Sequence, residues 1–193
     1  CSGFTGSLTI GNSVTTIGDY AFYECLGFNG SLTIPNSVTS IGNSAFQYCS
    51  SFNGSLTIGN SVTSIGNSAF YYCIDFTGSL TIPNSVTSIG NSAFYDCEGF
   101  TEVYSFAETA PTLGTDAFAN INENATLYYP SLSKQSYEAE GWFNYFSKRI
   151  GYKKCGDNLY WYVNDNNILT IFGTGAMYDY GSSNQAPWRS LNP

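Results

Sequence analysis

The stretch that decides the fold is residues 49–72, CSSFNGSLTIGNSVTSIGNSAFYY, because nearly the same 24 residues recur before and after it. Four copies are near-identical. A fifth copy, residues 97–120, follows at the same spacing but matches the repeat at fewer positions. Tandem repetition at such a period is typical of a solenoid, in which one short unit cannot bury its own apolar face and neighbouring units stack. We therefore predict an array of five stacked coils over residues 1–121.

Within each copy, the residue pattern predicts short extended segments joined by tight turns. In the first copy, residues 7–10 (SLTI) alternate between hydroxyl and apolar side chains, as a strand with one buried face does. Residues 14–17 form a second short extended piece. Gly18 then permits a tight bend, and residues 21–22 begin a short helical or 3₁₀ turn that ends near the next cysteine.

The segment after the repeats, residues 122–152, reads as a strand–helix cap. Residues 125–129 alternate as a strand, and residues 131–150 form a helix candidate. We expect Gly141 to break or bend this helix, because glycine is a poor helix former. The apolar face of the candidate helix comprises Trp142, Phe143, Phe146 and Ile150.

Residues 153–193 do not follow the repeat pattern, and they predict a small β-hairpin module. Two runs rich in aromatic and β-branched residues, 159–163 and 168–172, flank a polar turn at 164–167. The turn lacks the ligand spacing of a calcium loop. We expect the module to open a further repeat array, and we expect the chain to be a piece of a longer protein, because its first residue opens in the middle of the repeat pattern.

Charge is distributed unevenly along the chain. All six lysines and arginines lie after residue 133, whereas nine of the fourteen carboxylates precede it. A surface that binds phosphates or sulfates needs cations, so nucleic acid, heparin-like polymers and anionic lipid are excluded as partners of the array. The sequence contains no run of 18 apolar residues, and we predict no membrane insertion.

The sequence contains few side chains that could act in catalysis or bind a metal. It has no histidine, which removes Ser-His-Asp and Cys-His activation and the commonest metal ligand. The carboxylate pairs Glu98/Glu102 and Glu138/Glu140 read as solvated acids. We predict no catalytic residue, no cofactor and no metal site, and therefore no enzyme activity.

Five of the six cysteines occupy one column of the repeat. The column comprises Cys1, Cys25, Cys49, Cys73 and Cys97. Free cysteine is among the most buried residue types, which favours a structural ladder of buried thiols. Disulfides between adjacent coils remain open, because the strand spacing of about 4.8 Å lies within the range that a disulfide accepts. A column spreads its ligands along an axis and does not suit a metal.

Two outward columns are candidate binding surfaces. The strand column comprises Ser7, Thr9, Ser31, Thr33, Ser55, Thr57, Ser79 and Thr81. The aromatic turn column comprises Tyr23, Tyr48, Tyr71, Tyr72 and Tyr95. Ser and Thr are also ordinary surface residues of strands, and the tyrosines serve recognition or support the turn, so both interpretations stay open. A third row of hydroxyls, on the second extended piece, would also suit an ice or crystal face: Thr39, Ser40, Thr63, Ser64, Thr87 and Ser88.

The repeat wording resembles a known family. Residues 79–97, SLTIPNSVTSIGNSAFYDC, are similar to the leucine-rich repeat of BspA-type bacterial surface proteins, and residues 136–150 resemble the closing segment that follows such repeats. The resemblance implies a right-handed, β-rich leucine-rich-repeat solenoid with short helical or 3₁₀ turns, whose strand column lies on the concave recognition face.

The same resemblance implies a function. It predicts a non-enzymatic, secreted or cell-surface bacterial module that adheres to host or bacterial surface proteins or glycans through many weak contacts. The alternative is a structural spacer that assembles filaments by head-to-tail self-association, since repeats with exposed coil ends can stack on one another.

Overall fold

The computed structural model describes residues 3–181 and 186–190 of the 193-residue chain. The chain winds into coils, and equivalent strands of successive coils pair in parallel and in register, 24 residues apart. This stacking builds a five-stranded sheet from the second extended piece of each repeat. Its strands, in spatial order, are β1 (Thr16–Ile17), β3 (Ser40–Ile41), β5 (Ser64–Ile65), β7 (Ser88–Ile89) and β9 (Thr112–Leu113).

A second sheet has eight strands and runs from the repeats into the C-terminal segment. Its strands are β2 (Leu32–Thr33), β4 (Leu56–Thr57), β6 (Gly78–Ile82), β8 (Phe100–Ser105), β10 (Thr126–Pro130), β11 (Lys148–Lys154), β12 (Gly156–Val163) and β13 (Leu169–Met177). Pairing is parallel up to β11 and antiparallel from β11 through the β12–β13 hairpin. The hairpin predicted over residues 159–172 is therefore present. The expected boundary between cap and hairpin module, at residues 152 and 153, lies inside β11.

The core is a set of columns in which each apolar residue lies against its equivalent in the next coil. Phe46, Phe70 and Phe94 stack with ring centroids 5.2 Å apart and nearly parallel planes. The column cysteines and the recurring Leu, Ile, Val and Ala positions are buried beside them. In the first coil most of the equivalent positions are less well covered, and Phe4 is 63% exposed, although Ile17 stays buried.

The turn after each Ala-Phe pair is a third hydrogen-bonded face of the solenoid and contains no helix. The backbone N–H groups of Ser44, Phe46 and Tyr48 donate to carbonyl oxygens of the next coil at 2.8–2.9 Å. Ser44 and Tyr48 have positive φ angles of 53° and 62°, and the equivalent residues of the other coils repeat this conformation. The short helical or 3₁₀ turn predicted here was wrong, because the left-handed conformations of Ser44 and Tyr48 interrupt a helical turn.

The glycine before each of these turns is required for a different reason than the bend predicted for Gly18. Neither Gly42 nor Gly66 has a positive φ angle. A Cβ atom on Gly66 would instead lie 2.6 Å from the backbone nitrogen of Asn43 and 2.6 Å from the carbonyl carbon of Gly42. The close approach of successive coils therefore excludes a side chain here.

Asparagine side chains form a ladder that the sequence analysis did not anticipate. The backbone N–H of Asn67 donates to Oδ1 of Asn43 at 2.9 Å, and Asn91 repeats the contact with Asn67 at 2.8 Å. The ladder ends at Thr115, whose N–H donates to Asn91. Each side chain thus satisfies a backbone donor in a turn that has no strand partner.

The cap closes the last coil, but its helix is shorter than predicted. A 3₁₀ turn (Ser131–Ser133) leads into α1 (Lys134–Ala139), and a second 3₁₀ turn (Trp142–Asn144) follows Gly141. Gly141 has a φ of 77° and breaks the helix, as expected. Helix over the remaining residues to Ile150 was wrong: Ile150 lies in β11, paired with Tyr128 of β10.

Aromatic side chains of the cap cover the last coil. The rings of Trp142 and Phe146 contact Phe118, with centroids 5.2 and 5.5 Å away. The Trp142 indole N–H donates to the carbonyl of Pro111 at 2.9 Å. This bond fixes the cap against the preceding coil and gives the buried indole its partner.

Candidate binding surfaces

The strand column lies on the eight-stranded sheet, and its members in the first three coils line an open groove of about 1050 Å³: Ser7, Thr9, Ser31, Thr33 and Thr57. Asn12, Asn36 and Asn60 form its other edge. The Ser31 hydroxyl accepts the backbone N–H of Ser55 at 3.2 Å, so part of the column is used to join coils. The groove is lined by neutral hydroxyl and amide groups beside aliphatic side chains such as Ile34 and Ile58, and none of its described lining residues is aromatic.

The strand column ends at an aromatic cluster. In the register of the sheet, Thr81 pairs with Tyr104, and Tyr104 pairs with Tyr128. The two tyrosine rings stack with centroids 4.4 Å apart. The Tyr128 hydroxyl donates to the carboxylate of Glu102 at 3.3 Å. The sheet face therefore changes from polar to aromatic at the fifth coil.

The β12–β13 hairpin folds back over this aromatic part of the sheet. Phe172 lies 5.5 Å from Tyr104, and Tyr162 lies 5.4 Å from Tyr128, measured between ring centroids. Tyr128 is only 6% exposed as a result, and burial raises the pKa of its phenol. The hairpin thus packs on the array and leaves the face open over the earlier coils.

The aromatic turn column forms a continuous strip that we call the tyrosine ribbon. Its members are Tyr20, Tyr23, Tyr48, Tyr71, Tyr72 and Tyr95. Ring centroids of neighbouring members lie 5.0–6.4 Å apart. Tyr20 and Tyr72 are 61% and 42% exposed, and the other members are half-buried. The sequence analysis missed Tyr20, because Ser or Asp occupies its position in the other coils.

Carboxylates border the tyrosine ribbon. A hydrogen bond to Glu24 raises the pKa of the Tyr23 phenol. Asp96 follows Tyr95 directly, and its carboxylate accepts a hydrogen bond from the Asn120 side chain at 2.8 Å. The ribbon therefore combines exposed aromatic rings with negative charge.

The third row of hydroxyls, on the five-stranded sheet, is engaged within the solenoid. The side-chain hydroxyls of Thr39, Thr63 and Thr87 each donate to the carbonyl of the equivalent threonine one coil earlier, at 3.1 Å. These bonds support the backbone and leave fewer hydroxyl protons for an external surface.

The column cysteines are buried as free thiols over the described residues, and Cys1 lies outside them. The Cys73 thiol donates to the carbonyl of Phe46 at 3.1 Å, and Cys49 and Cys97 make the equivalent bond. Burial raises the pKa of Cys49 to about 12 and also raises the pKa of Cys73 and of Cys97. Thiols with raised pKa values are poor nucleophiles.

This burial predicts that alkali destabilises the solenoid. An unfolded thiol ionises near pH 9.0, whereas the folded Cys73 thiol keeps its proton above that pH. The unfolded state loses protons first, so the free energy of unfolding falls as pH rises above 9, by up to about 1.4 kcal/mol per pH unit for each thiol. Urea titrations between pH 8 and 11 measure this slope.

Cys73→Ala supplies the matched control for the alkaline titration. The variant keeps every buried tyrosine and loses one thiol, so its slope should be shallower by about 1.4 kcal/mol per pH unit. Equal slopes in the two proteins would show that Cys73 does not hold its proton in the folded state.

These features define a class: a β-solenoid of repeating coils with a strand–helix cap. The sequence of residues 2–123 matches the family model described as "BspA type Leucine rich repeat region", in six copies. The chain therefore belongs to the BspA-type leucine-rich-repeat family. The six copies of the family model fall within residues 2–123, and β10, which follows them, pairs in parallel with β8.

Two solved structures are similar to the chain. A leucine-rich cell surface protein from Faecalibacterium prausnitzii is 22% identical, with 84% of this chain and 51% of that chain covered and a TM-score of 0.37. The leucine-rich-repeat protein of T. pallidum is 20% identical, with 66% and 77% covered and a TM-score of 0.37. This chain spans about half the length of the Faecalibacterium protein. A search of curated proteins finds no match. None of the described helices could cross a membrane.

Proposed function

We propose that this chain is a non-enzymatic binding module of a bacterial cell-surface or secreted protein and that its tyrosine ribbon contacts a protein partner. The observation that carries the proposal is the continuous row of partly exposed tyrosines across four coils, whose rings contact one another edge to face or stacked. Tyrosine supplies large, amphipathic contact area with few torsions to freeze, and it is enriched at the energetic centres of interfaces.

The strand column is the weaker candidate on energetic grounds. Serine and threonine are under-represented among residues that dominate binding energy. Each exposed hydroxyl, such as that of Thr33 or Thr57, exchanges a hydrogen bond with water for one with a partner and gains little. The groove therefore lacks the aromatic anchors that the ribbon has.

Charge indicates the chemistry of the partner. Residues 1–133 contain nine carboxylates and no lysine or arginine. Glu24 and Asp96 lie at the borders of the ribbon, and tyrosine faces attract ammonium and guanidinium groups. A partner with a cationic contact face gains both from steering in this field and from contact with the rings. Affinity for such a partner falls as the salt concentration rises.

The repeats themselves supply conservative test variants. Tyr48 and Tyr72 adopt left-handed backbone conformations, and Asn120 occupies the equivalent position of a later coil with a φ of 56°. Asparagine tolerates that conformation better than other residues with side chains. Tyr48→Asn/Tyr72→Asn therefore removes two rings and keeps the turn.

The experiment measures binding to a panel of purified extracellular-matrix and plasma proteins. We expect Tyr48→Asn/Tyr72→Asn to weaken binding at least tenfold, because each lost anchor costs on the order of 1–2 kcal/mol. Thr33→Val/Thr57→Val on the strand column removes two hydroxyls without changing the charge; this variant is the control and should retain affinity. Loss in the threonine variant alone would overturn the assignment to the ribbon, and no binding to any panel member would overturn adhesion to such proteins.

The structural spacer is the second candidate. The exposed apolar residues of the first coil, Phe4 and Val14 among them, favour stacking on another coil. However, the opposite end is covered where Trp142 and Phe146 pack on Phe118. Head-to-tail stacking of coils needs two open ends, so this arrangement supports self-assembly less well than partner binding.

A further inference from the structure

A crevice of about 700 Å³ lies where the hairpin, the cap and the end of β8 meet. Its floor includes the rings of Phe106, Tyr152 and Tyr160, and the turn Ser131–Ser133 forms one wall. It belongs neither to the tyrosine ribbon nor to the strand column. We propose that this crevice is a binding site for a neutral saccharide.

The aromatic floor suits the apolar face of a sugar ring. Phe106 and Tyr160 stack with centroids 4.9 Å apart, and Tyr152 lies 5.8 Å from Phe106. A pyranose carries its C–H groups on its two faces and its hydroxyls at the edge. It therefore buries apolar area against aromatic rings while its polar edge stays available for hydrogen bonds.

The polar groups of the crevice match a hydroxyl edge. The Lys154 ammonium and the Glu108 carboxylate lie 3.2 Å apart at the rim. A sugar hydroxyl can donate to the carboxylate and accept from the ammonium at the same time, because it is both donor and acceptor. Since both side chains are largely exposed, they are free to adjust to a ligand.

An orphaned polar atom is the independent sign of a ligand. The Ser131 hydroxyl oxygen is buried and has no hydrogen-bond partner among the described residues. Buried polar atoms are normally paired, and each exception calls for a physical reason. Ser131 lines the crevice, so rotation of its side chain about the Cα–Cβ bond would let a hydroxyl of a bound saccharide supply the missing partner.

Local charge favours a neutral ligand. Glu108 repels an anion, Lys154 repels a cation, and their pairing leaves little net charge at the rim. Lys153 also lines the crevice, but its ammonium lies over the Trp161 ring, 5.4 Å from the centroid. Leu132 is 97% exposed beside the opening and adds apolar contact for a second ring. A disaccharide therefore fits this chemistry better than a single charged group.

The test uses saturation-transfer NMR and titration calorimetry with four neutral disaccharides: lactose, cellobiose, chitobiose and mannobiose. We expect at least one to bind saturably. Ser131→Ala should weaken that binding at least tenfold and leave the melting temperature unchanged or higher, because it removes an unpaired buried hydroxyl. Glu108→Gln should weaken it by a similar factor, because a charged acceptor is replaced by a neutral one.

The control is Tyr48→Asn/Tyr72→Asn, which should leave saccharide binding intact. Saturable binding by none of the four sugars overturns the proposal. Binding that Ser131→Ala and Glu108→Gln leave unchanged also overturns it, because the sugar would then occupy another surface. Neither result bears on the protein partner of the ribbon, so the two proposals fail separately.

Discussion

Gly66→Ala is expected to lower the free energy of unfolding by about 3 kcal/mol, at the upper end of the usual cost of overpacking. The added Cβ would lie 2.6 Å from backbone atoms of Asn43 and Gly42. Backbone cannot rotate out of the way as a side chain can, so the two coils must separate. Their hydrogen bonds would lengthen along both sheets. Urea unfolding followed by circular dichroism measures the loss.

The first coil provides a matched control for this substitution. Gly18 occupies the same repeat position, and no atom lies within 4 Å of a Cβ built there. Gly18→Ala should be neutral or stabilise by up to about 1 kcal/mol, because alanine restricts the unfolded chain. If both variants lost the same stability, the glycine would be needed for backbone conformation, and close packing of the coils would not explain it.

Phe76→Ala should cost about 3–5 kcal/mol, the usual range for removing a buried phenylalanine. Phe76 is fully buried and stacks between Phe52 and Phe100, with both centroid distances 5.4 Å. Its removal leaves a cavity between the rings of Phe52 and Phe100. Thermal and urea unfolding of the variant measure the effect.

Phe4→Ala is the control in the same column. Phe4 is 63% exposed and contacts one ring of the column, that of Phe28 at 6.1 Å. Its loss should cost less than about 1 kcal/mol, because little apolar area leaves the core. A loss as large as that of Phe76→Ala would mean that the first coil is packed against apolar groups in solution.

The repeat array could be predicted from sequence because the residue pattern that specifies each coil lies within one copy and recurs in every copy. The alternation at residues 7–10 and the recurring Phe, Leu and Ile positions predicted the strands and the buried columns. The turn was harder to predict. Its left-handed residues include Tyr48 and Tyr72, which rarely adopt that conformation. The inter-coil hydrogen bonds that stabilise them cannot be read from one copy.

Long-range packing explains what the sequence did not predict. The residue pattern of 159–172 predicted a hairpin, and the structure contains one. The pattern does not indicate that Phe172 packs on Tyr104. The helix candidate ended early because the chain after Gly141 adds β11 to the eight-stranded sheet, where β11 pairs in parallel with β10. The crevice beside Ser131 could not be predicted either, because segments that are distant in the sequence form its walls.

Part of the tyrosine ribbon could be predicted from the sequence. The five tyrosines of the turn column were visible as one set, because their spacing follows the repeat. Whether they support the turn or face a partner was left open. In the structure the rings of Tyr48 and Tyr72 contact each other edge to face, and Tyr72 stays 42% exposed.

The most direct test of the account observes the tyrosine rings themselves during binding. The tyrosine rings are isotope-labelled for NMR. The signals of Tyr23, Tyr48 and Tyr72 should shift when the panel protein that binds the chain is added. Signals of the buried Tyr137 and Tyr152 should stay unchanged and serve as internal controls. Ribbon signals that do not respond while the partner binds would contradict the claim that the ribbon is the binding surface.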